Sequence, residues 1–172
     1  WLPSAPPFFN PVYLASLNFE KNFYLAISHA HEDHLDYYFL KTYFNKNMRI
    51  ILSEFSSSSF KRRLDKLGFE NIITIPNGKT VKFDDFEAIS IFNKTVSNND
   101  AGICFRNEKY CIHHGNDNWF KLKEHNLIRL KEFSKNRKFL YCSQTNSASG
   151  HPITYPQYGD KMRNELLNKV KK

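Results

Sequence analysis

The run "AISHAHEDHLDYY", residues 26–38, places three of the chain's seven histidines and two acids within six positions. Imidazole and carboxylate are ligands of borderline metals such as zinc, iron and manganese. His29 and His31, two apart at a strand end, point to one side because residues i and i+2 share a face. Asp33 and His34 follow at the turn into the next element and can reach the same space. Four such groups exceed what one tetrahedral ion usually takes from a single loop, so the spacing predicts two adjacent metals. The competing reading is a solvated polar loop.

The elements that must position this cluster can be read outward from it. "NFYLAIS", residues 22–28, is a short apolar, aromatic-rich run and predicts a buried strand with the histidines at its C-terminal end. "HLDYYFLKTYFNK" carries Leu35, Tyr38, Phe39 and Tyr43 at helical spacings. "RIILS" predicts a second strand, and "SSSSFKRRLDKLG" a serine-capped helix closed by Gly68. Short strand candidates then follow in "NIITI", "KTVKF", "FEAISIF", "AGICFR" and "KYCIHH", with a hairpin turn at Asn107 and Glu108. "WFKLKEHNLIRLKEFSK" predicts a helix, "KFLYCS" a strand and "YGDKMRNELLNKVKK" a terminal helix. Strands alternating with helices, then antiparallel strands, then a strand–helix unit again, indicate a layered α/β domain.

Composition narrows the context. A chain of 172 residues is one ordinary domain in length. No apolar run approaches the ~18 residues of a membrane span, and "WLPSAPPFFN" is not a secretory signal. Cys104, Cys111 and Cys142 are odd in number and contain no CxxC pair, which argues against a disulfide framework or a cysteine zinc knuckle. Buried free thiols in a reducing cytoplasm are expected. The net charge of +8 suits an anionic partner, yet the lysines are spread along the chain, which favours a solvated basic surface over a dedicated nucleic-acid face.

His-x-His-x-Asp-His after an apolar strand resembles the signature of the metallo-β-lactamase fold superfamily. "WLPSAPPFF", "CIHHGNDNWF" and "SASGHPITYPQY" look like segments of a subgroup that includes CMP-N-acetylneuraminate hydroxylase-like proteins and metal-dependent hydrolases. The resemblance implies one αββα sandwich domain over residues 1–172, lacking the first strands of the family. It implies that His29 and His31 hold one metal, Asp33 and His34 a second, and that Asp117 bridges them, with His151 as a further ligand. Asp33 would also orient the metal-activated water or take its proton. The cofactor implied is one or two zinc ions, or iron or manganese. His113 and His114, at the end of "YCI", face opposite sides by alternation. One of them can hold a ligand carboxylate in place, and His114, beside Gly115, is preferred for that role. His125, in "KLKEHN", reads as solvent-exposed.

The family's middle histidine has no counterpart. No histidine occurs from residue 35 to 112, and the corresponding loop offers Asn93, Asn98 and Asp100. The leading functional reading is a metal-dependent hydrolase acting on a small-molecule substrate, with an anionic one compatible with the positive charge. One alternative is an oxygenase or accessory domain acting on a nucleotide sugar, with its redox partner on another chain because no Rieske-type Cys/His pairs occur here. A nuclease is a third reading, disfavoured because no separate nucleic-acid domain is visible. A non-catalytic member of the fold is the fourth.

Overall fold

The computed structural model describes residues 23–30, 35–55, 59–92, 101–116, 122–143 and 168. The chain divides into two compact units, residues 1–75 and 76–172. In the first, β1 (Tyr24–Ile27), β2 (Arg49–Ser53) and β3 (Ile72–Ile75) form a parallel sheet in the order β1-β2-β3. The register pairs Ile27 with Leu52 and Ile50 with Ile72. In "RIILS" four consecutive residues are buried, as a strand covered on both faces requires. That is why the run reads as continuous rather than alternating.

Two helices make the crossovers. α1 (Tyr37–Tyr43) starts at Asp36, whose Oδ1 accepts the Phe39 N–H at 2.9 Å and satisfies one of the orphan donors of the first turn. α2 (Ser59–Lys66) buries Phe60 and Leu64, one turn apart, while Lys61 and Asp65 pair on its outer face at 2.9 Å. Gly68, at φ 88°, ends it. The Gly68 N–H donates to the Asp65 carbonyl and the Phe69 N–H to the Leu64 carbonyl, the paired bonds of a Schellman cap. Leu35, Leu40, Phe60, Leu64 and Phe69 close over Ile27, Ile50 and Leu52 to make the core of this unit.

The second unit is a five-stranded sheet: β4 (Thr80–Lys82), β5 (Glu87–Ile91), β6 (Gly102–Arg106), β7 (Tyr110–Asn116) and β8 (Lys138–Ser143), in chain order across the sheet. The first four run antiparallel. β8 lies parallel to β7, reached through α3 (Glu124–Ser134). Leu122, Leu130 and Phe133 pack on the face formed by Ile89, Ile91, Cys104 and Cys111. Asn126, fully buried in α3, donates to the Phe92 carbonyl at 3.2 Å. Asn77 brackets the same residue, donating to its carbonyl and accepting its N–H.

Three differences from the sequence reading have local causes. The β6–β7 turn is centred on Glu108 and Lys109, one residue later than expected. Asn107 instead pairs with Tyr110, and its Oδ1 accepts the Lys109 and Tyr110 N–H groups at 2.9 and 2.8 Å, so the asparagine closes the turn from outside. α3 begins at Glu124 rather than near Trp119, because Leu122 and Lys123 are not helical. Cys104 and Cys111 are buried free thiols as expected, but Cys142 is exposed on β8. The terminal helix expected over 158–172 lies outside the described residues except for residue 168, which is helical.

Candidate metal centre

Of the expected ligands, the described residues include His29. It stands two residues beyond the C-terminal end of β1 with 1% of its surface exposed, so this imidazole is a buried polar group rather than a solvated one. Ser28 Oγ lies 3.1 Å from its Nδ1. A buried imidazole with one ring nitrogen engaged in this way is held in orientation, a support that metal-ligating histidines commonly have. The place in the fold is also informative: the carboxyl ends of parallel strands are where open α/β sheets collect ligands.

His31, Glu32, Asp33 and His34 lie outside the described residues, but both flanks of the motif are anchored. Ile27 and His29 are buried before it, and Leu35, 2% exposed, enters the core directly after it. The next residue, Asp36, caps α1. The motif is therefore a short connection between a strand end and a helix start. Asp117, His151, Asn93, Asn98 and Asp100 also lie outside the described residues. Among the described residues, no group of three or more His, Cys, Asp or Glu side chains could hold a metal ion.

β7, the strand leading toward Asp117, alternates as expected: Cys111 and His113 are buried, Ile112 and His114 exposed. The buried histidine is His113 and the exposed one His114, the residue the sequence reading preferred for holding a ligand carboxylate. Its imidazole stacks on Tyr141 of β8, centroids 5.4 Å apart, and lies over Gly102 of β6. A Cβ at residue 102 would stand 2.7 Å from His113 Cε1, so the glycine makes room for the ring. Burial, followed by the neighbouring His114, holds the His113 pKa down at about 3, and the ring is neutral at physiological pH. Alternation alone could not have found this, because Ile103, Phe105 and Ile112 share the face of His114; His113 shares the face of Cys104 and Cys111, which α3 and Leu122 cover. A register shift between His114 and Asn116, which brings Asn116 opposite Ser143, interrupts the ladder just before Asp117. Bulges of this kind re-aim a strand end and are enriched beside functional sites.

A cavity of about 600 Å³ lies at the other end of this sheet, between the β4–β5 and β6–β7 turns. Its arginines are engaged in structure. Arg106 binds Glu87 and the Phe133 carbonyl, and Arg137 donates to the carbonyls of Asn107 and Lys135. His125 is exposed on α3, as read from sequence. No helix among the described residues is long and apolar enough to cross a membrane.

With this geometry, comparison with solved structures becomes informative. A mutant of the CmlA β-hydroxylase superposes with a TM-score of 0.59 at 16% identity, covering 84% of this chain and 31% of that one. CmlA itself, a diiron β-hydroxylase from Streptomyces venezuelae, aligns with a TM-score of 0.50 at 14% identity, over 63% of this chain and 23% of that one. The fold is metallo-β-lactamase-like. Among curated proteins, a Mycolicibacterium smegmatis protein named as a Rieske 2Fe-2S iron–sulfur protein is 36% identical over 77 residues, 38% of this chain and 15% of that protein. The chain thus spans under a third of these relatives. No protein-family profile matches it.

Proposed function

We propose that this chain is the metal-binding part of a metallo-β-lactamase-like αββα enzyme, with His29, His31, Asp33, His34, Asp117 and His151 as its ligand set. The observation that carries the proposal is the buried His29 at the C-terminal end of β1, with its Nδ1 at 3.1 Å from Ser28 Oγ. With the Nδ1 proton donated to that oxygen, Nε2 presents the lone pair a metal takes. Imidazoles and carboxylates of this set suit zinc, iron or manganese. A bound metal would supply Lewis acidity and, for iron, redox chemistry. The chain's own residues orient it: Ser28 fixes the His29 ring, while Leu35 and Asp36 tie the far end of the motif to α1.

Two reactions fit this centre. Oxygenation is one reading, supported by the fold shared with the two hydroxylase structures and by the iron–sulfur name of the curated relative. The substrate class on this reading is an anionic small molecule, a nucleotide sugar of the CMP-sialic-acid type being the form the motif resemblance suggests, and the net charge of +8 suits it. No paired Cys/His set of Rieske type occurs within these 172 residues, so on this reading the electrons come from a centre outside them. Hydrolysis is the second reading, favoured by Asp33, which would accept a proton from the attacking water.

The test is elemental analysis of protein purified without chelator, alongside a His29→Ala variant. Bound metal that the variant loses is the expected result; a wild-type protein without zinc, iron or manganese would favour the non-catalytic reading. Iron, with oxygen consumption that depends on an added reductant and a CMP-sugar, is expected for oxygenation. Zinc alone, with no such consumption, points to hydrolysis.

A further inference from the structure

We propose that Cys104 and Cys111 form a redox-active dithiol, which a hydroperoxide converts into a reversible disulfide between β6 and β7. The inference is independent of the metal reading. The two Sγ atoms lie 3.2 Å apart, already within hydrogen-bonding distance of each other. They are diagonal neighbours on one face of the hairpin: Cys104 sits opposite His113, and Cys111 opposite Arg106. Both are completely buried among Ile89, Ile91, Leu130 and Phe133, where two ordinary apolar residues would serve packing equally well.

Burial by itself keeps a thiol inert. Here the pair is polarised in one direction. The hydrogen bond shared with Cys104, in which either sulfur can donate, and then the Arg137 and Arg106 guanidinium charges hold the Cys111 thiol below its usual range despite desolvation. The Cys104 thiol is pushed up, by the same bond and by burial. Cys111 is accordingly the nucleophile and Cys104 the resolving thiol. In the first step the Cys111 thiolate attacks hydrogen peroxide, forming a sulfenic acid and releasing hydroxide. In the second, Cys104 sulfur displaces the sulfenic oxygen; the S–S bond forms, the oxygen leaves as water, and the Cys104 proton goes with it. In sum, two thiols and one peroxide give one disulfide and two waters.

The product should be easily reduced. Diagonal pairs in an antiparallel ladder stand about 7–8 Å apart at the backbone, and a disulfide closes only within about 7 Å, so forming it draws the two strands together and leaves the bond strained. Strained disulfides are the labile, regulatory kind. β7 runs on from Cys111 through His113 toward Asp117, so the crosslink would act on the strand that leads to the candidate centre.

The experiment treats the full, reduced chain with hydrogen peroxide in the presence of a chelator, then denatures, alkylates and digests it with trypsin. Arg106 and Lys109 place the two cysteines on separate peptides. The expected result is a linked Cys104–Cys111 peptide, loss of two of the three free thiols, and their return with dithiothreitol. Cys142→Ser should form the same link, and Cys104→Ala should leave Cys111 as a sulfenic acid that dimedone traps. The exposed Cys142 is the internal reference. Oxidation of Cys142 while Cys104 and Cys111 still take up the alkylating agent after denaturation overturns the proposal, as does any link that runs through Cys142.

Discussion

His113 and Gly102 show how much one missing side chain can decide. The imidazole is held between Tyr141 and the bare backbone of residue 102. A Gly102→Ala variant must push the ring off this seat, because its Cβ would also meet the His114 carbonyl oxygen at 3.3 Å. Overpacking of this kind costs about 1–3 kcal/mol, and the urea midpoint of the variant should fall accordingly. The same histidine makes stability depend on pH. Its pKa is about 3 in the folded chain against 6.5 unfolded, so unfolding takes up a proton between those values. Its stabilising contribution is complete above about pH 6.5 and is lost progressively as pH falls toward 3. Urea titrations of the metal-free protein at pH 7 and pH 5 should show the loss, and a His113→Gln variant should show a shallower one. The alternation that separates His113 from His114 was legible in the sequence, but which of them faced inward depended on the side α3 covers.

Among the elements, the close of α2 isolates a backbone effect. Gly68 is at φ 88° with no atom nearer than 3.9 Å to a Cβ built there. Gly68→Ala therefore leaves packing alone and pays only for the left-handed conformation, about 1–2 kcal/mol, which thermal unfolding can measure. The end of β5 tests a polar junction instead. Phe92 is held by Asn77 from the turn before β4 and by buried Asn126 from α3. Removing the amide in Asn126→Ala takes one donor from that carbonyl, and a loss of about 1–3 kcal/mol is expected in denaturant unfolding. Strands such as "RIILS" and the Gly68 stop were readable because periodicity and φ preference act locally. The β6–β7 turn was misplaced by one residue because Asn107 closes it from the strand, its N–H on the Tyr110 carbonyl and its Oδ1 accepting the Lys109 and Tyr110 N–H groups.

For the whole molecule, the proposed centre makes stability a function of metal. A ligand that binds only the folded chain adds about 3 kcal/mol when present at a hundredfold excess over its Kd. The melting temperature should therefore fall on chelation and recover on adding back the metal found by elemental analysis, while a His29→Ala protein should show neither change. The fold itself links local and distant pairings: a parallel sheet with two helical crossovers in one unit, and an antiparallel meander completed by a parallel edge strand in the other.

By itself the sequence determined the type and order of nearly every described element and the place of the His-x-His-x-Asp-His motif directly after a strand. These follow from spacing and from the chemistry of side chains, both written along the chain. Tertiary structure decided what depends on which surfaces meet. It buried His29 beside Ser28, put His113 rather than His114 inside, shifted the register before Asp117, and brought two thiols seven positions apart to 3.2 Å. Each of these is a contact across strands or between a sheet and its helix, set by register and covering, which no residue specifies alone.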